Sequence, residues 1–517
     1  MPTAASAATH ATTALMAPLR PPMGSKELAT TLSTLSDTFY TYVLAVLLVA
    51  VGLYFTALTR GVQVRHFGSM LRSITSSRSG AEGGISSFQA FAVGLASRVG
   101  IGNVAGVAIA IVAGGPGALF WMWVVALVGM ATSFAESVLA QVFKERGRDF
   151  TFHGGPAYYI KNGLGSKAWG AVFAAICIVS VGVTVVMVQT NALAGVVHAT
   201  VASVKPWMVG VALVLLVLPI VLGGLKGVAR VTEVIAPLMA LVYVLVTIVV
   251  MALNITELPD VIVQIFKGAF GLDSALFGVA GGLVAAVVNG VRRGLFSNEA
   301  GLGGSACAAG SATVAHPARQ GFIQSFGVLV DTLLVCTATA LAILIAGAAD
   351  GGVYTPGVTG GQDADAVAGT LTQTAIGSTL GAWTTWPMTV LVLVLAYSTI
   401  LGAFSYAEVC LDYLTRRPWA PPVLRMGALA CAFVGGVAKL TTVWSTADVL
   451  LGAGAIINLV GIVMLSGWAT GVLRDWEAQR AQVAAGALAP DQIRFVAAGN
   501  PHLPGELPGD VWGAEGR

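Results

Sequence analysis

The stretch Ser97-Arg98-Val99-Gly100-Ile101-Gly102-Asn103-Val104-Ala105-Gly106 lies in the middle of an apolar segment that runs from residue 86 to residue 113. Two of its glycines flank a turn that can unwind, and an arginine and an asparagine stand beside them. The glycines alone fit an alternative interpretation, in which Gly102 and Gly106 let two helices pack closely. The two polar residues change that balance, because polar side chains at such depth are costly and usually functional. The stretch therefore predicts a membrane helix that is broken near its middle.

A second interruption of the apolar pattern lies between residues 286 and 301. The pattern fails near Asn289 and Gly290 and resumes after Gly301, in a segment that begins five segments after the first broken one. Discontinuous helices at matching positions of two halves are typical of membrane proteins built from inverted repeats, whose binding site lies at the breaks. The sequence thus predicts two repeats, at about 86–254 and 275–472, with the first apolar segment outside them.

The composition of the whole chain indicates a membrane protein. Of 517 residues, 56% are hydrophobic and only 10% are charged, and the mean hydropathy is +0.83. A soluble domain carries about 25% charged residues. Apolar stretches of about 20 residues can cross the hydrocarbon, and a helical bundle satisfies their backbone groups there. The hydropathy predicts an all-α fold with eleven spans, at 38–59, 86–113, 118–142, 169–198, 207–224, 231–254, 275–312, 317–347, 384–413, 422–439 and 444–472.

Basic residues in the predicted loops give the orientation. Seventeen lie in loops of one parity, within 60–85, 143–168, 225–230, 292–319 and 416–425, whereas the opposite loops hold only Lys205, Lys267 and Lys439. Because loops rich in Lys and Arg stay in the cytoplasm, the first set is predicted to be cytoplasmic. The sequence therefore predicts an extracytoplasmic N-terminal tail at 1–37, a transmembrane domain at 38–472 and a cytoplasmic C-terminal tail at 473–517.

Motifs for several other functions are missing from the sequence. It contains no G-x-x-x-x-G-K-[ST], no H-E-x-x-H and no G-x-S-x-G, and its six histidines are scattered. An ATPase, a zinc protease and a serine hydrolase are therefore not predicted, and we do not expect an enzyme. No Lys/Arg-rich run suggests nucleic acid as a partner. A channel would need a continuous polar pore, and the spans hold too few polar residues for one.

Broken helices offer two kinds of binding group. The free N–H groups of the half-helix after a break favour an anion, and the carbonyl groups released before the break favour a cation. A zwitterionic amino acid carries one charge of each sign, so an unwound backbone is a sensible receptor for it. Without an ATPase motif, uphill transport would have to draw on an ion gradient.

Three motifs make the sequence resemble a known family. They are Gly114 to Trp123 (GGPGALFWMW), Ser297 to Gly303 (SNEAGLG) and His316 to Thr339. Together they resemble the alanine/glycine:cation symporters (sodium:alanine symporters), and the likeness runs from about Gly83 to Gly471. It implies a LeuT-type fold with a five-plus-five inverted repeat and one additional N-terminal helix. It also implies a monomer in the plasma (inner) membrane, surrounded by lipid, that takes up a small neutral amino acid with Na⁺ as coupling ion and no cofactor.

The resemblance implies a substrate site at the breaks. By that likeness the amides of Ile101 and Gly102 would bind the substrate carboxylate, and Asn103 would brace the turn. Gln189 or Asn191 could reach the substrate, with Gln189 favoured; the alternative for either is a hydrogen bond between helices. The other residues expected to line or close the substrate site are Phe296, Ser297, Asn298, Thr399 and Ala403.

A cation site is implied beside the substrate site. Carbonyl groups of Ala96, Val99 and Leu395 and hydroxyl groups of Ser398 and Thr399 would bind Na⁺. Taken alone, a Ser-Thr pair in a helix more often bonds back to carbonyl groups one turn earlier.

Two positions depart from the family's usual pattern. Ile101 stands where a Thr is common, and Ala403 stands where a Trp is common. The second change predicts a roomier pocket and a somewhat larger neutral amino acid than alanine.

The charged residues inside the predicted spans include four candidates for pairing or gating, Arg98, Glu136, Asp331 and Glu408. We expect them to pair across helices or to gate the cytoplasmic route, because an unpaired charge in hydrocarbon is expensive. A proton relay through the carboxylates is the alternative, and it corresponds to a proton-coupled transporter or an exchanger on the same fold.

Overall fold

The computed structural model describes residues 25–75, 84–147, 151–272, 279–348, 364–438, 440–509 and 511–513. Helices form most of this part of the chain, as expected where backbone groups must bond to one another. The helices of its first half are α1 (Ser25–Phe39), α2 (Ala45–Leu58), α3 (Val62–Arg65), α4 (Phe67–Thr75), α5 (Ser87–Arg98), α6 (Val107–Gly114), α7 (Gly117–Val142), α8 (Pro156–Leu164), α9 (Lys167–Val179), α10 (Val186–Thr200), α11 (Pro206–Leu222), α12 (Gly224–Leu253) and α13 (Leu258–Ala269).

The second half is built in the same way. Its helices are α14 (Val279–Asn298), α15 (Gly304–Gly310), α16 (Pro317–Val328), α17 (Thr337–Ala348), α18 (Ala364–Leu380), α19 (Thr385–Leu414), α20 (Ala420–Val437), α21 (Leu440–Met464) and α22 (Ser466–Ala484). Short π-helical segments join or extend some of these helices, at Tyr40–Leu44, Gly102–Gly106, Ser180–Val185 and Leu329–Cys336. A small antiparallel hairpin of β1 (Glu145–Arg146) and β2 (Phe152–His153) follows α7.

Within the described residues, eight helices are long and apolar enough to cross a membrane. They are Thr34–Leu58, Gly117–Val142, Lys167–Thr200, Gly224–Leu253, Pro317–Gly347, Ala382–Leu414, Ala420–Val437 and Val443–Met464. The bent pair Ser87–Arg98 and Gly102–Gly114 makes a ninth. Of the other two predicted spans, α11 is apolar but shorter, and α14 begins next to residues 273–278, which lie outside the described residues. The count of eleven spans and the five-plus-five repeat therefore stay predictions.

Packing divides the helices into two groups. In the first, α7 packs against α14 and α16, and α14 also contacts α6. In the second, α10 packs against α19 and α20, and α11 packs against α20. The half-helix α5 contacts α16 of the first group and α19 of the second. Its end at the first break therefore lies between the two groups.

The first predicted break is confirmed. α5 begins with a capping box between Ser86 and Gln89, and it ends at Arg98. The chain leaves helical geometry at Val99, where φ is −77° and ψ is 89°. The two half-helices are bent by 47° relative to each other. Asn103 spans the turn, because its Oδ1 accepts a hydrogen bond from the Gly100 N–H at 2.9 Å.

The second break is not where the apolar pattern predicts it. Helix α14 runs unbroken through Asn289 and Gly290, and the chain leaves the helix only between Asn298 and Gly304. Gly290 serves close packing, since a Cβ there would lie 2.4 Å from the Ala118 carbonyl oxygen. Asn289 donates back to the Ala285 carbonyl at 3.0 Å. Both residues thus fit inside an intact helix.

Two arginines that the sequence assigns to a cytoplasmic loop lie inside α14. Arg292 pairs with Asp37 at 2.8 Å, and Arg293 pairs with Asp448 at 3.1 Å. Because each has an acidic partner on another helix, neither needs a loop. The charge bias that predicts the orientation rests on the remaining basic loops.

The C-terminal region does not form a detached tail. Helix α22 crosses the predicted boundary at residue 472 and continues to Ala484. The chain after it folds back over the end of α7, where the Trp512 indole N–H donates to the Gln141 carbonyl at 2.9 Å. Ile493, Phe495 and Trp512 are buried. We call this end of the bundle, which carries the hairpin and α22, the basic end.

Candidate functional site

A closed cavity lies between the two breaks. Its volume is about 20 Å³, room for about one water molecule. Four residues predicted for the substrate site line it, namely Gly102, Gln189, Phe296 and Thr399. Much of the rest of its wall is apolar, with Val181, Val185, Leu302 and Leu451.

The Ile101 N–H, which was expected to bind the substrate carboxylate, donates to a side chain instead. The Ile101 N–H, at the start of the half-helix after the break, donates to Oε1 of Gln189 at 3.1 Å. Gln189 is buried on α10, and its amide oxygen occupies the place that a carboxylate oxygen would take. Gly100 must be glycine here, because a Cβ would lie 2.1 Å from Oγ1 of Thr399. Asn191, the other candidate, instead donates to the Gly435 and Ala438 carbonyls, as in the alternative with a bond between helices.

Some of the oxygens that were expected to bind a cation lie next to one another. Thr399 Oγ1 donates to the Ala96 carbonyl at 3.0 Å, which joins α19 to the end of α5. Ser398 Oγ donates back to the Leu395 carbonyl at 3.0 Å, so this residue bonds as the alternative interpretation describes. Val99 lies at the same break with a non-helical ψ. A carbonyl that now accepts a hydroxyl hydrogen bond can instead bind a cation when that hydroxyl turns its lone pair inward.

Asp331 connects the two breaks. From the sequence it was predicted only as a charged residue inside a membrane span. Its Oδ1 accepts from Asn103 Nδ2 at 2.6 Å, and its Oδ2 accepts from Ser297 Oγ at 2.6 Å. The two donors lie on the first and second broken helices. Two of the predicted substrate residues, Asn103 and Ser297, therefore bond to this carboxylate. An acidic residue in an apolar helix is the signal that points to it.

Two other predicted substrate residues lie away from the cavity wall. Asn298 braces the second break, since its Oδ1 accepts from the Ala300 N–H at 3.0 Å. Ala403 is fully buried and is not part of the wall. Its neighbour Gly402 faces Ser97 of α5, and successive helical residues point about 100° apart. Ala403 therefore faces elsewhere.

Of the four intramembrane charges, one forms an ion pair within the described residues. Glu408 pairs with Arg425 at 3.1 Å. Arg98 instead donates to the Gln324 carbonyl at 3.0 Å and to Ser133 Oγ at 3.3 Å. Glu136 accepts hydrogen bonds from three groups, Asn458 Nδ2, Ser305 Oγ and the Gly301 N–H. Arg98 and Glu136, which were expected to form ion pairs, thus bond to neutral groups instead.

A wide vestibule opens at the end of the bundle opposite the basic end. Its volume is about 700 Å³, and Asn191, His198, Lys205 and Trp444 lie in its wall. Trp444 also packs on Phe296, with 5.0 Å between ring centroids. Because Phe296 lines the closed cavity, this aromatic pair separates the cavity from the vestibule. No sequence motif points to Trp444, which comes from a distant helix.

Comparison with known proteins gives a consistent result. The model of the sodium:alanine symporter family matches residues 25–488. The amino-acid carrier protein AlsT of Bacillus subtilis is 42% identical over 449 residues, which cover 86% of this chain and 92% of AlsT. The probable sodium/glutamine symporter GlnT of the same organism is 40% identical over 446 residues, 86% of this chain and 90% of GlnT.

An archaeal relative and a solved structure extend the comparison. The sodium/alanine symporter AgcS of Methanococcus maripaludis is 39% identical over 399 residues, 75% of this chain and 83% of AgcS. The crystal structure of MhsT in complex with L-phenylalanine superposes with a TM-score of 0.54 at 14% identity, covering 75% of this chain and 90% of MhsT. That likeness shows the fold, which is the LeuT fold predicted from the motifs. The multi-pass chain described here belongs to the sodium:alanine symporter family.

Proposed function

We propose that this protein takes up a neutral amino acid together with Na⁺ by alternating access, with its basic end in the cytoplasm. One observation carries the proposal. Two broken helices meet at a single cavity, and beside it lie a backbone N–H bonded to Gln189 and a carbonyl oxygen bonded to the Thr399 hydroxyl. An amino acid and a cation need these two kinds of partner.

The substrate carboxylate would bind at the start of the half-helix after the first break. It would replace the Gln189 oxygen at the Ile101 N–H and also accept from the Gly102 N–H. A carboxylate is the stronger acceptor, because hydrogen bonds to charged groups are about twice as strong as neutral ones. Phe296 and Trp444 would close the site from the vestibule side after the substrate has entered.

Na⁺ would bind between the first break and α19. Its ligands would be the carbonyl groups of Ala96, Val99 and Leu395 with the hydroxyl groups of Ser398 and Thr399. These are hard oxygen donors, and none of them carries a charge. Asp331 would hold both breaks in place while the ion binds.

The size of the substrate depends on the residues that would contact its side chain. Ala403 lies outside the cavity wall, so the argument for a roomier pocket loses its main support. Val181, Val185 and Leu451 would instead meet the substrate side chain. We infer a small neutral amino acid of the alanine class and include glutamine, because GlnT is named a sodium/glutamine symporter.

Uptake into proteoliposomes tests the proposal. Labelled alanine and glutamine are offered with an inward Na⁺ gradient, with a proton gradient, or with neither. Electrogenic uptake that requires Na⁺ is expected. Equal uptake with a proton gradient alone would establish the proton-coupled alternative, and counterflow without net uptake would establish an exchanger.

A further inference from the structure

Glu299 lies in the second break, directly after α14, and has no role in the site described above. Its φ is +57°, and only one other non-glycine residue of the described chain, Arg60, has a positive φ. A glutamate in this conformation is strained, and such strain persists where surrounding contacts fix the residue. Its carboxylate lines the same closed cavity as Gly100 and Thr399.

Three elements meet at this carboxylate. Ser97 Oγ of α5 donates to Glu299 Oε1 at 2.6 Å. The Tyr406 hydroxyl of α19 donates to Glu299 Oε2 at 3.1 Å. Tyr406 lies two helical turns from Thr399 towards the basic end of α19. The carboxylate therefore lies on the basic-end side of the proposed Na⁺ oxygens.

The charge of Glu299 lacks a direct counter-charge in this part of the structure. The residue is 8% exposed, and it forms no ion pair with the side chains that the structure describes. Arg98 lines the cavity too, but its two terminal nitrogens bond to Gln324 and Ser133. Burying a carboxylate in this way is costly unless a cation comes close to it.

The oxygens proposed to bind Na⁺ lack a negative charge among them. All five are neutral, so they can replace water oxygens around Na⁺ but supply no negative charge to attract it. Ser97 directly follows Ala96, whose carbonyl oxygen bonds to Thr399. The Glu299 carboxylate that Ser97 holds is therefore close to these oxygens. Of the residues in the cavity wall that the structure describes, Glu299 is the only carboxylate.

We propose that Glu299 is a positioning residue that attracts Na⁺ to the neutral oxygens by its negative charge, while Ser97 and Tyr406 fix where that charge lies. The inference rests on the proposed Na⁺ symport and adds its electrostatic component. Opposite charges a few ångströms apart in a site that excludes water interact strongly. Removing the charge should therefore weaken Na⁺ binding more than it weakens substrate binding.

The experiment compares Glu299→Gln with Tyr406→Phe in proteoliposomes. Gln removes the charge and leaves one acceptor oxygen for two donors, so it also alters one hydrogen bond. Phe removes one hydrogen bond and leaves the charge, so the difference between the two variants reports the charge. Half-saturation is measured for Na⁺ at saturating alanine and for alanine at saturating Na⁺. We expect Glu299→Gln to raise the Na⁺ value about tenfold or more, with the alanine value changed less than about threefold. Tyr406→Phe should change the Na⁺ value less than about threefold.

Three results would overturn the inference. Equal effects of the two variants on Na⁺ would make Glu299 a hydrogen-bonded tie between helices. A rise in the alanine value alone would make it a ligand of the substrate ammonium, and an unchanged Na⁺ value with an altered pH profile of uptake would make it a proton site. If Glu299→Gln does not fold, Glu299→Asp keeps the charge but withdraws it by one methylene. The Na⁺ value must then rise, or the inference fails. Wild-type uptake without any need for Na⁺ would refute the proposed function itself.

Discussion

Asp331→Asn is the substitution that most directly tests how the two breaks form one site. The Asp331 carboxylate accepts from Asn103 on the first broken helix and from Ser297 on the second, at 2.6 Å in each case. An amide in its place has a single oxygen, so it can accept from one of these donors. Its NH₂ group then faces Ser297 Oγ, whose hydroxyl can turn to accept, so two neutral hydrogen bonds replace two charged ones.

The size of the effect follows from the kind of bond. A hydrogen bond to a charged group contributes about 1.5–3 kcal/mol, and one between neutral groups contributes about 0.5–1.5 kcal/mol, so the two bonds together weaken by about 2 kcal/mol. A change of about 1.4 kcal/mol is a factor of ten in an equilibrium constant. Because the tie positions the backbone that is proposed to bind substrate, we expect uptake at low substrate concentration to fall about 10- to 100-fold.

Initial rates of Na⁺-driven alanine uptake in proteoliposomes give the measurement. The matched control is Thr332→Val, because the Thr332 hydroxyl also donates to Asp331 Oδ2, at 2.8 Å, but belongs to neither break. This variant should lose less than about threefold. An Asp331→Asn protein that folds and takes up alanine within twofold of the wild type would refute the reasoning.

Three further substitutions test the cavity and the C-terminal region. Gly100→Ala should abolish uptake, because its Cβ would lie 2.1 Å from Thr399 Oγ1, whereas Gly195→Ala, with open space around its Cβ, should transport normally. Trp444→Ala removes the ring that covers Phe296, and it should speed alanine release towards the vestibule several-fold in efflux assays. Burial, with a smaller effect of Arg146, lowers the pKa of Lys144 to about 7 beneath the Trp512 ring. Its released amine would have a pKa near 10.4, so docking of the C-terminal segment should strengthen as pH rises from 7 towards 10 and change little below 7. Trypsin cleavage after Arg494 should therefore slow as pH rises from 7 towards 10. The control is a Lys144→Met protein, in which any change of the cleavage rate with pH comes from the protease alone.

The sequence located one break correctly because two unlike signals coincide there. Around Gly100, flexible glycines stand beside buried polar residues, and the two signals together favour an unwound turn over close packing. At Asn289 and Gly290 the same two residue types have other causes. The glycine there makes room for the Ala118 carbonyl, and the asparagine bonds within its own helix. A single sequence cannot separate these uses of glycine, because the difference lies in the neighbouring helix.

The true second break carries a backbone signal that could have been used. Gly301 and Gly303 have φ values of +88° and +80°, which favour glycine over other residues. They belong to the SNEAGLG motif, which indicates the family, whereas the apolar pattern predicts the break near Asn289 and Gly290. The partners of the site are harder to predict. Asp331 is 228 residues from Asn103, and Tyr406 is 107 residues from Glu299, so only the folded chain brings them together.

Side chains give the unwound backbone beside the closed cavity hydrogen-bond partners that it would otherwise lack. Unwound backbone in a dry site exposes N–H and carbonyl groups, and each one left without a partner is costly. In this protein two side chains supply such partners. Gln189 supplies an oxygen to the Ile101 N–H, and Thr399 supplies a hydroxyl hydrogen to the Ala96 carbonyl. On the proposed mechanism, substrate and Na⁺ displace these two groups, and their departure restores them. On this proposal each of these backbone groups would have a partner both with and without bound substrate and Na⁺.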